Sequence, residues 1–353
     1  MNWPTFWNEE KDRIQQQLLS WQKVHGRHDL PWQKPDPYVV WVSEIMLQQT
    51  QVSTVKPKFE AWMKAFPDVA HLAQAKIEDV YKLWEGLGYY RRARFLHQGA
   101  QLIMNSFGGE LPSSRADRLS LPGVGPSTAS ALGAFAFGQR EAIFDGNVQR
   151  IWSRWWGDRI TELDTPWLKV GWDIALDVMP QKPDDIRRWT QAVMDLGATV
   201  CLPKNPKCEV CPWRKSCRAH LTQTISSYPP AKSKTQVLDE QVTWGWLSHE
   251  GRVAISPPNT EGKWAGLARL PEVQHKPEEV VMGQGQHRLT HRLIHWHIIR
   301  KSPKVVRQAE RDPTLMWVDR DTFEAQAWPR WVRKWWDELD ENAKSQLFST
   351  TDV

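Results

Sequence analysis

"LPGVGPSTASAL", residues 121–132, sets a proline and two glycines in front of a run of small residues suited to a helix. A turn at Gly123-Val124-Gly125, opening onto a helix that begins near Ser127 and Thr128, turns backbone N–H groups outward at a positive dipole end. Such an end seats a phosphate, and glycine suits it because a Cβ would hold the anion away. Taken alone, a G-x-G turn reads as readily as a plain connection. Here "SRADRLSLPGVG" (114–125) supplies a second short helix before it, so the pair forms a helix-hairpin-helix, a device that grips one DNA strand by its backbone without reading bases. Gly123, Val124 and Gly125 are the candidate phosphate contacts.

Two carboxylates lie on either side of this hairpin in the sequence. Asp145, in "IFDGNVQRIW" (143–152), either caps the helix that follows or serves chemistry. Glu44 stands in "WVSEIMLQQTQV" (41–52), where helical periodicity puts positions 41, 44, 48 and 51 on one face, with Gln48 and Gln51 beside the glutamate. Among tryptophan and methionine a glutamate is hard to keep charged, so its pKa rises toward the value a general acid needs. The plainer alternative is an exposed surface glutamate. In "GLGYYRRARFL" (86–96) a glycine turn carries Tyr89 and Tyr90 beside Arg91, Arg92 and Arg94, interleaving aromatic rings with phosphate partners.

All four cysteines fall in "CLPKNPKCEVCPWRKSC" (201–217), spaced C-x6-C-x2-C-x5-C. The N-terminus has no apolar signal core and no run of about 18 apolar residues follows, so a reducing, cytoplasmic setting and no membrane are expected. There, clustered thiols bind metal more often than they pair. Only Cys208 and Cys211 form a C-x2-C pair, whereas zinc knuckles use two, so the spacing suits a 4Fe-4S cluster at least as well as zinc. The loop and its flank also carry Lys204, Lys207, Arg214, Lys215 and Arg218 against one acid, Glu209. The whole chain leans the same way, with 46 basic and 41 acidic residues for a net charge of +5, a sign that suits nucleic acid without proving it.

A chain of 353 residues exceeds one ordinary core. "TISSYPPAKSKTQ" (224–236) has the prolines, serines and lysines of a linker, and the apolar spacing before it is helical. After it, "QVTWGWL", "GRVAIS" and "TLMWVD" read as strands, while "WPRWVRKWWDEL" puts Trp328, Trp331, Trp335 and Leu339 on one stripe. The expected organisation is a mainly α domain at 1–223, a linker at 224–237, and a smaller α+β domain at 238–353. The 23 tryptophans are expected to fill cores.

Taken together and in order, "VSEIMLQQTQV", "GLGYYRRAR", "LPGVGPSTASA", "FDGNVQR" and the cysteine loop resemble the adenine DNA glycosylase (MutY-type) family, within the endonuclease III-like helix-hairpin-helix superfamily. The resemblance runs from about residue 20 to 220. It implies a six-helix barrel module and a second helical module bearing a 4Fe-4S cluster on Cys201, Cys208, Cys211 and Cys217, acting as a monomer on double-stranded DNA of the nucleoid. Adenine opposite 8-oxoguanine or guanine would be flipped out and cut from its sugar. Glu44 would protonate the base, Asp145 would stabilise the oxocarbenium ion, Asn147 would orient Asp145, and Ser127 would stand beside the sugar. Arg27, Trp32 and Gln191 fall where the adenine pocket lies, while Gln49, Thr50, Leu87 and Tyr89 fall where the partner strand and lesion are met.

The sister enzyme endonuclease III carries a lyase lysine two places after the second hairpin glycine. Here that residue is Ser127, and the chain runs more than 130 residues past the cluster, so both features favour a glycosylase without lyase activity. The extra region resembles the family's Nudix-like domain, whose Phe-Ser-His loop reads the lesion. This chain has Leu289, Thr290 and His291, keeping hydroxyl and imidazole but losing the ring. His287, His291, His295 and His297 share strand parity, but a loop at 289–291 breaks it and argues against zinc. Contacts with other repair proteins are not legible in these residues.

Overall fold

A computed structural model describes residues 5–162, 167–230, 237–258, 264–289 and 291–348. Thr290, and residues 231–236 of the expected linker, lie outside the described residues. The first part of the chain is helical: α1 (Thr5–His25), α2 (Pro37–Leu47), α3 (Val52–Ala65), α4 (Val69–Gln74), α5 (Ile77–Trp84), α6 (Arg91–Ser106), α7 (Arg115–Ser120), α8 (Pro126–Phe137), α9 (Gly146–Trp156), α10 (Trp167–Asp177), α11 (Pro183–Asp195) and α12 (Arg218–Leu221). The rest is α+β: β1 (Leu238–Trp246), β2 (Ser248–His249), β3 (Arg252–Ile255), β4 (Val281–Arg288), β5 (Arg292–Arg300), α13 (Pro303–Ala309), β6 (Met316–Val318), α14 (Arg320–Ala325), α15 (Arg330–Asp337) and α16 (Glu341–Phe348). None of the described helices is long and apolar enough to cross a membrane.

The helix boundaries that matter follow from local chemistry. Asp36 caps α2, its carboxylate accepting from the backbone N–H groups of Tyr38 at 2.9 Å and Val39 at 3.1 Å, and Pro37 opens the helix where a missing N–H is harmless. The helix stops at Leu47, Gln48 turns extended, and Gln49 takes a left-handed φ of 57°. Position 51 is therefore not on the face of Glu44 as periodicity suggested; Gln51 is the N-cap of α3. The hairpin helix α8 has Pro126 in its first turn and ends on Gly138 in the left-handed region.

Contacts divide the chain into two units: Met1–Gln74 with Phe95–Lys232, and Ala75–Arg94 with Ser233–Val353. The helical unit packs around tryptophans 7, 152, 155, 156, 189 and 213, which interlock edge-to-face and tilted with Ile14, Leu18 and Leu196. These tryptophans are core, as expected. The second unit holds two small sheets. Its larger sheet runs β1-β5-β4, with β1 parallel and β4 antiparallel to β5, and its smaller one runs β2-β3-β6. Trp244, Trp246, Trp296, Trp331, Trp335 and Trp336 fill its core. Trp328 precedes α15 and Leu339 follows it, so the apolar stripe is shorter than the spacing indicated and Trp336 joins it.

Candidate active site

Glu44 projects from the last turns of α2, and Asp145 sits at the start of α9. Burial, aided by the charge of Asp145, pushes the Glu44 carboxyl up to about 8, although the side chain keeps part of its area open to solvent. Asp145 does cap α9, one carboxylate oxygen accepting from the Val148 N–H at 2.9 Å. Yet Asp145 is exposed and only Oδ1 makes that bond, so capping and chemistry do not exclude each other. The Ser127 hydroxyl accepts from the Phe144 N–H at 3.1 Å and so ties the hairpin helix to the loop bearing Asp145. Asn147 is bonded elsewhere than expected: its amide oxygen accepts from Arg150 Nη2 at 2.9 Å, and no described bond joins it to Asp145.

Arg27 and Gln191 converge on a residue that sequence reasoning passed over. Asp195, at the end of α11 and fully buried, accepts from the Arg27 backbone N–H at 2.9 Å, from Arg27 Nε at 2.7 Å and from Gln191 Nε2 at 2.8 Å. Its place in "WTQAVMDLGATV" looks like one more helical position, and only the fold brings in Arg27, 168 residues away. Trp32 is buried edge-on against Phe59.

In the hairpin the two glycines have different reasons to be glycine. Gly123 has a φ of 77°, and a Cβ there would lie 2.8 Å from the ring of Phe95. Gly125 has an ordinary φ, and a Cβ would meet nothing within 4 Å, so no protein atom requires its absence. Val124 is buried, and Gln48 Nε2 donates to both the Gly123 carbonyl and the Thr128 hydroxyl at 3.3 Å.

Gln49 is exposed and Thr50 half-buried, just past the end of α2. Leu87 and Tyr89 belong to the other unit, on the turn between α5 and α6. Leu87 is buried, while Tyr89 is 52% exposed with a φ of 48°, the second non-glycine residue of the candidate set held in the left-handed region. Arg92 is buried rather than solvated, stacking its guanidinium over Trp84 at 5.1 Å and Tyr89 at 5.6 Å. Just after β4 the Leu289 N–H donates to the Arg292 carbonyl at the start of β5. His291 is exposed, but Leu289 packs against the core. His287 pairs across from Ile294 and faces the core side of the sheet, whereas His295 lies on the other face and reaches Asp239 at 3.1 Å. The histidines therefore do not gather.

The four cysteines line one partly open cavity with Arg154 and Trp213. A π-turn at Leu196–Val200 delivers Cys201, whose N–H donates to the Leu196 carbonyl at 2.7 Å. Two buried arginines of α9 brace this corner: Arg150 donates to the carbonyls of Cys201 and Gly197, and Arg154 to Cys201 Sγ at 3.5 Å and to the Leu202 and Pro203 carbonyls. Burial pushes Cys211 up to about 12 and Cys217 up to about 11, so these two thiols stay protonated unless a cation takes the charge. Among the described residues no three His, Cys, Asp or Glu side chains gather closely enough to hold one ion. Four thiols around one cavity are the donor set a 4Fe-4S cluster takes, one thiolate per iron.

Residues 42–165 match the family described as HhH-GPD superfamily base excision DNA repair protein. The adenine DNA glycosylase of Buchnera aphidicola subsp. Acyrthosiphon pisum is 30% identical over 350 residues, covering 94% of this chain and 98% of that protein. That of Buchnera aphidicola subsp. Baizongia pistaciae is 32% identical over 306 residues, covering 81% and 86%. The rat adenine DNA glycosylase is 43% identical over 218 residues, 58% of this chain and 41% of that one. Among solved structures, a thermostable thymine-DNA glycosylase superposes with a TM-score of 0.56 at 28% identity, covering 61% of this chain and 98% of that one. An endonuclease III bound to DNA superposes at 0.51 with 20% identity over 60% and 97%, a likeness of fold. With nearly the whole chain aligned to one relative and the hairpin and carboxylates inside the matched span, the protein belongs to the adenine DNA glycosylases of base excision repair, and is an enzyme that hydrolyses N-glycosyl bonds.

Proposed function

We propose that the chain removes adenine mispaired with 8-oxoguanine or guanine from double-stranded DNA and leaves the abasic strand uncut. The observation that carries this reading is the raised pKa of Glu44. A carboxyl held near 8 is mostly protonated at neutral pH, and it can hand that proton to a ring nitrogen of adenine so that the base departs neutral. The carboxylate of Asp145 then faces the positive sugar, electrostatically or by transient attachment, and the newly ionised Glu44 can accept a proton from water. Flipping the adenine costs a few kcal/mol, least at a mispair. Arg27 and Gln191, fixed by Asp195, line the base pocket with Trp32. Gln49, Thr50, Leu87 and Tyr89 meet the stack left behind, and Gly123, Val124 and Gly125 hold the phosphate.

The lack of lyase activity rests on Ser127, a hydroxyl engaged with Phe144 where an amine would be needed. Cys201, Cys208, Cys211 and Cys217 would hold a 4Fe-4S cluster, which when bound supplies iron–thiolate bonds that staple the basic loop 201–217. Residues 238–353 act as a Nudix-like lesion reader joined to the helical domain 1–223 through 224–237, with Thr290 and His291 as polar contacts and no stacking plate, since Leu289 packs inward. Single-turnover incubation with a duplex holding adenine opposite 8-oxoguanine tests the whole reading. Base release should appear, and strand breaks only after alkali; breaks equal to base release without alkali would point instead to an endonuclease III type of lyase.

A further inference from the structure

The turn that carries Tyr89 is built into the C-terminal unit although the sequence places it early in the chain. Residues 75–94 belong by contact to the unit that contains 233–353. Inside the turn, the indole of Trp84 donates to the Gly88 carbonyl at 2.9 Å, and Arg92 Nη2 donates to the carbonyls of Leu87 at 2.8 Å and Gly88 at 3.1 Å. Three anchors then come from the far end of the chain. Arg333 Nε donates to Glu85 Oε1 at 2.9 Å. Tyr81 lies against Gly266, where a Cβ would stand 2.5 Å from the phenol ring. Tyr90 packs on the tryptophan core and meets Tyr81 edge-to-face at 5.9 Å. Tyr90 goes inward and Tyr89 outward, so whatever fixes Tyr90 and Glu85 fixes the direction in which Tyr89 is presented.

Arg333 is itself held. Its Nη2 donates to the carbonyls of Glu324 at 3.0 Å and Gln326 at 2.8 Å, at the end of α14. One guanidinium therefore joins the end of α14, helix α15 and the residue that ends α5. A half-buried arginine committed in three directions sets a geometry more than it supplies affinity, because its rigid fork fixes all three partners at once. Tyr89 needs such support, since a φ of 48° is a strained state for a tyrosine and persists only when the surroundings over-determine it.

We propose that Arg333, through its ion pair with Glu85, is a positioning residue for Tyr89, so that the C-terminal unit governs excision by holding the aromatic wedge as well as by meeting the lesion. This rests on the reading of Tyr89 as a residue inserted into the DNA stack. The test uses the full-length protein with Arg333→Gln and Glu85→Gln, each made alone and each combined with Tyr89→Ala. Two quantities are read: single-turnover adenine release opposite 8-oxoguanine, and fluorescence of a 2-aminopurine placed beside the mispair, which brightens when the stack opens. Both single variants should slow release on the order of three- to ten-fold and dim the 2-aminopurine signal, with no further loss once Tyr89→Ala is present. If Tyr89→Ala leaves both readouts unchanged, the wedge reading falls and the positioning role with it. If Tyr89→Ala impairs both but the Arg333 and Glu85 variants are silent, or cost as much when combined with Tyr89→Ala as when made alone, the positioning role alone is overturned.

Discussion

The hydroxyl of Ser127 and the backbone N–H of Phe144 are 3.1 Å apart, so the first turn of the hairpin helix holds the residue next to Asp145. The proposed DNA-gripping element and the proposed catalytic carboxylate are thereby one mechanical piece. Ser127→Ala leaves that N–H without its acceptor, which costs about 1–3 kcal/mol where the group is shielded from water. Thermal unfolding should show the loss, and adenine release should fall with it because Asp145 loses its registration.

Glu44→Gln separates catalysis from stability. Release should drop by roughly 10² to 10⁴-fold in single-turnover assays, since the leaving base loses its proton donor, while binding to mispaired duplex persists. The folded carboxyl titrates above its ordinary value, so ionising it weakens the fold as pH rises through about 8. The glutamine variant escapes that penalty. Its melting temperature should exceed the parent's at alkaline pH, with the gap closing as pH falls toward the ordinary carboxylate range.

The same titration shapes the rate. Because the protonated form is the working acid, single-turnover release should decline as pH rises through about 8 and level off below it on this limb. A profile that climbs through that range would remove Glu44 from the role of acid.

Gly123 and Gly125 give a paired comparison. Gly123→Ala forces a Cβ against Phe95 in a left-handed backbone and should lower the melting temperature. Gly125→Ala has room and an ordinary φ, so stability should hold or rise slightly. Its binding should weaken equally for mispaired and matched duplex, because a phosphate contact carries no sequence information. Thermal melts and titrations against both duplexes check the contrast.

Metal analysis tests the cysteine cavity. Protein purified without oxygen from iron-replete cells should carry iron and sulfide at about four each per chain. Stripping the iron should loosen residues 201–217 to protease and weaken DNA binding more steeply at low salt than at high, as the basic loop loses its shape.

How far the sequence disclosed this arrangement depended on the range of the interaction. Gly123, Asp145 and the four cysteines sit in short motifs that can be read from their near neighbours in the chain. Glu44 was legible as a carboxylate in apolar company, but its supposed neighbour Gln51 was not, because periodicity does not reveal that Gln49 turns left-handed and ends α2. Asp195 was hidden for the opposite reason: nothing local distinguishes it, and its meaning comes from Arg27 and Gln191 once the chain has folded. Arg150 and Arg154 look like ordinary helix arginines until their guanidiniums are seen capping the carbonyls of the cysteine corner. Strand positions in the C-terminal region were readable from β-branched and aromatic runs, whereas the parallel pairing of β1 with β5, across some fifty residues, could not be.

The clasp between Glu85 and Arg333 spans 248 residues, and that separation has a consequence for biosynthesis. At a translation rate of about 5 to 20 residues per second, roughly 12 to 50 s elapse between the emergence of Glu85 and that of Arg333. For most of that interval Tyr81 and Tyr90 wait without Gly266 or the complete tryptophan core, so the nascent enzyme carries a sticky, half-made element longer than any single helix takes to form. Premature stop codons between residues 232 and 333 would remove Arg333 and strand the turn permanently, and their harm would then include a mis-set turn upstream of the missing sequence.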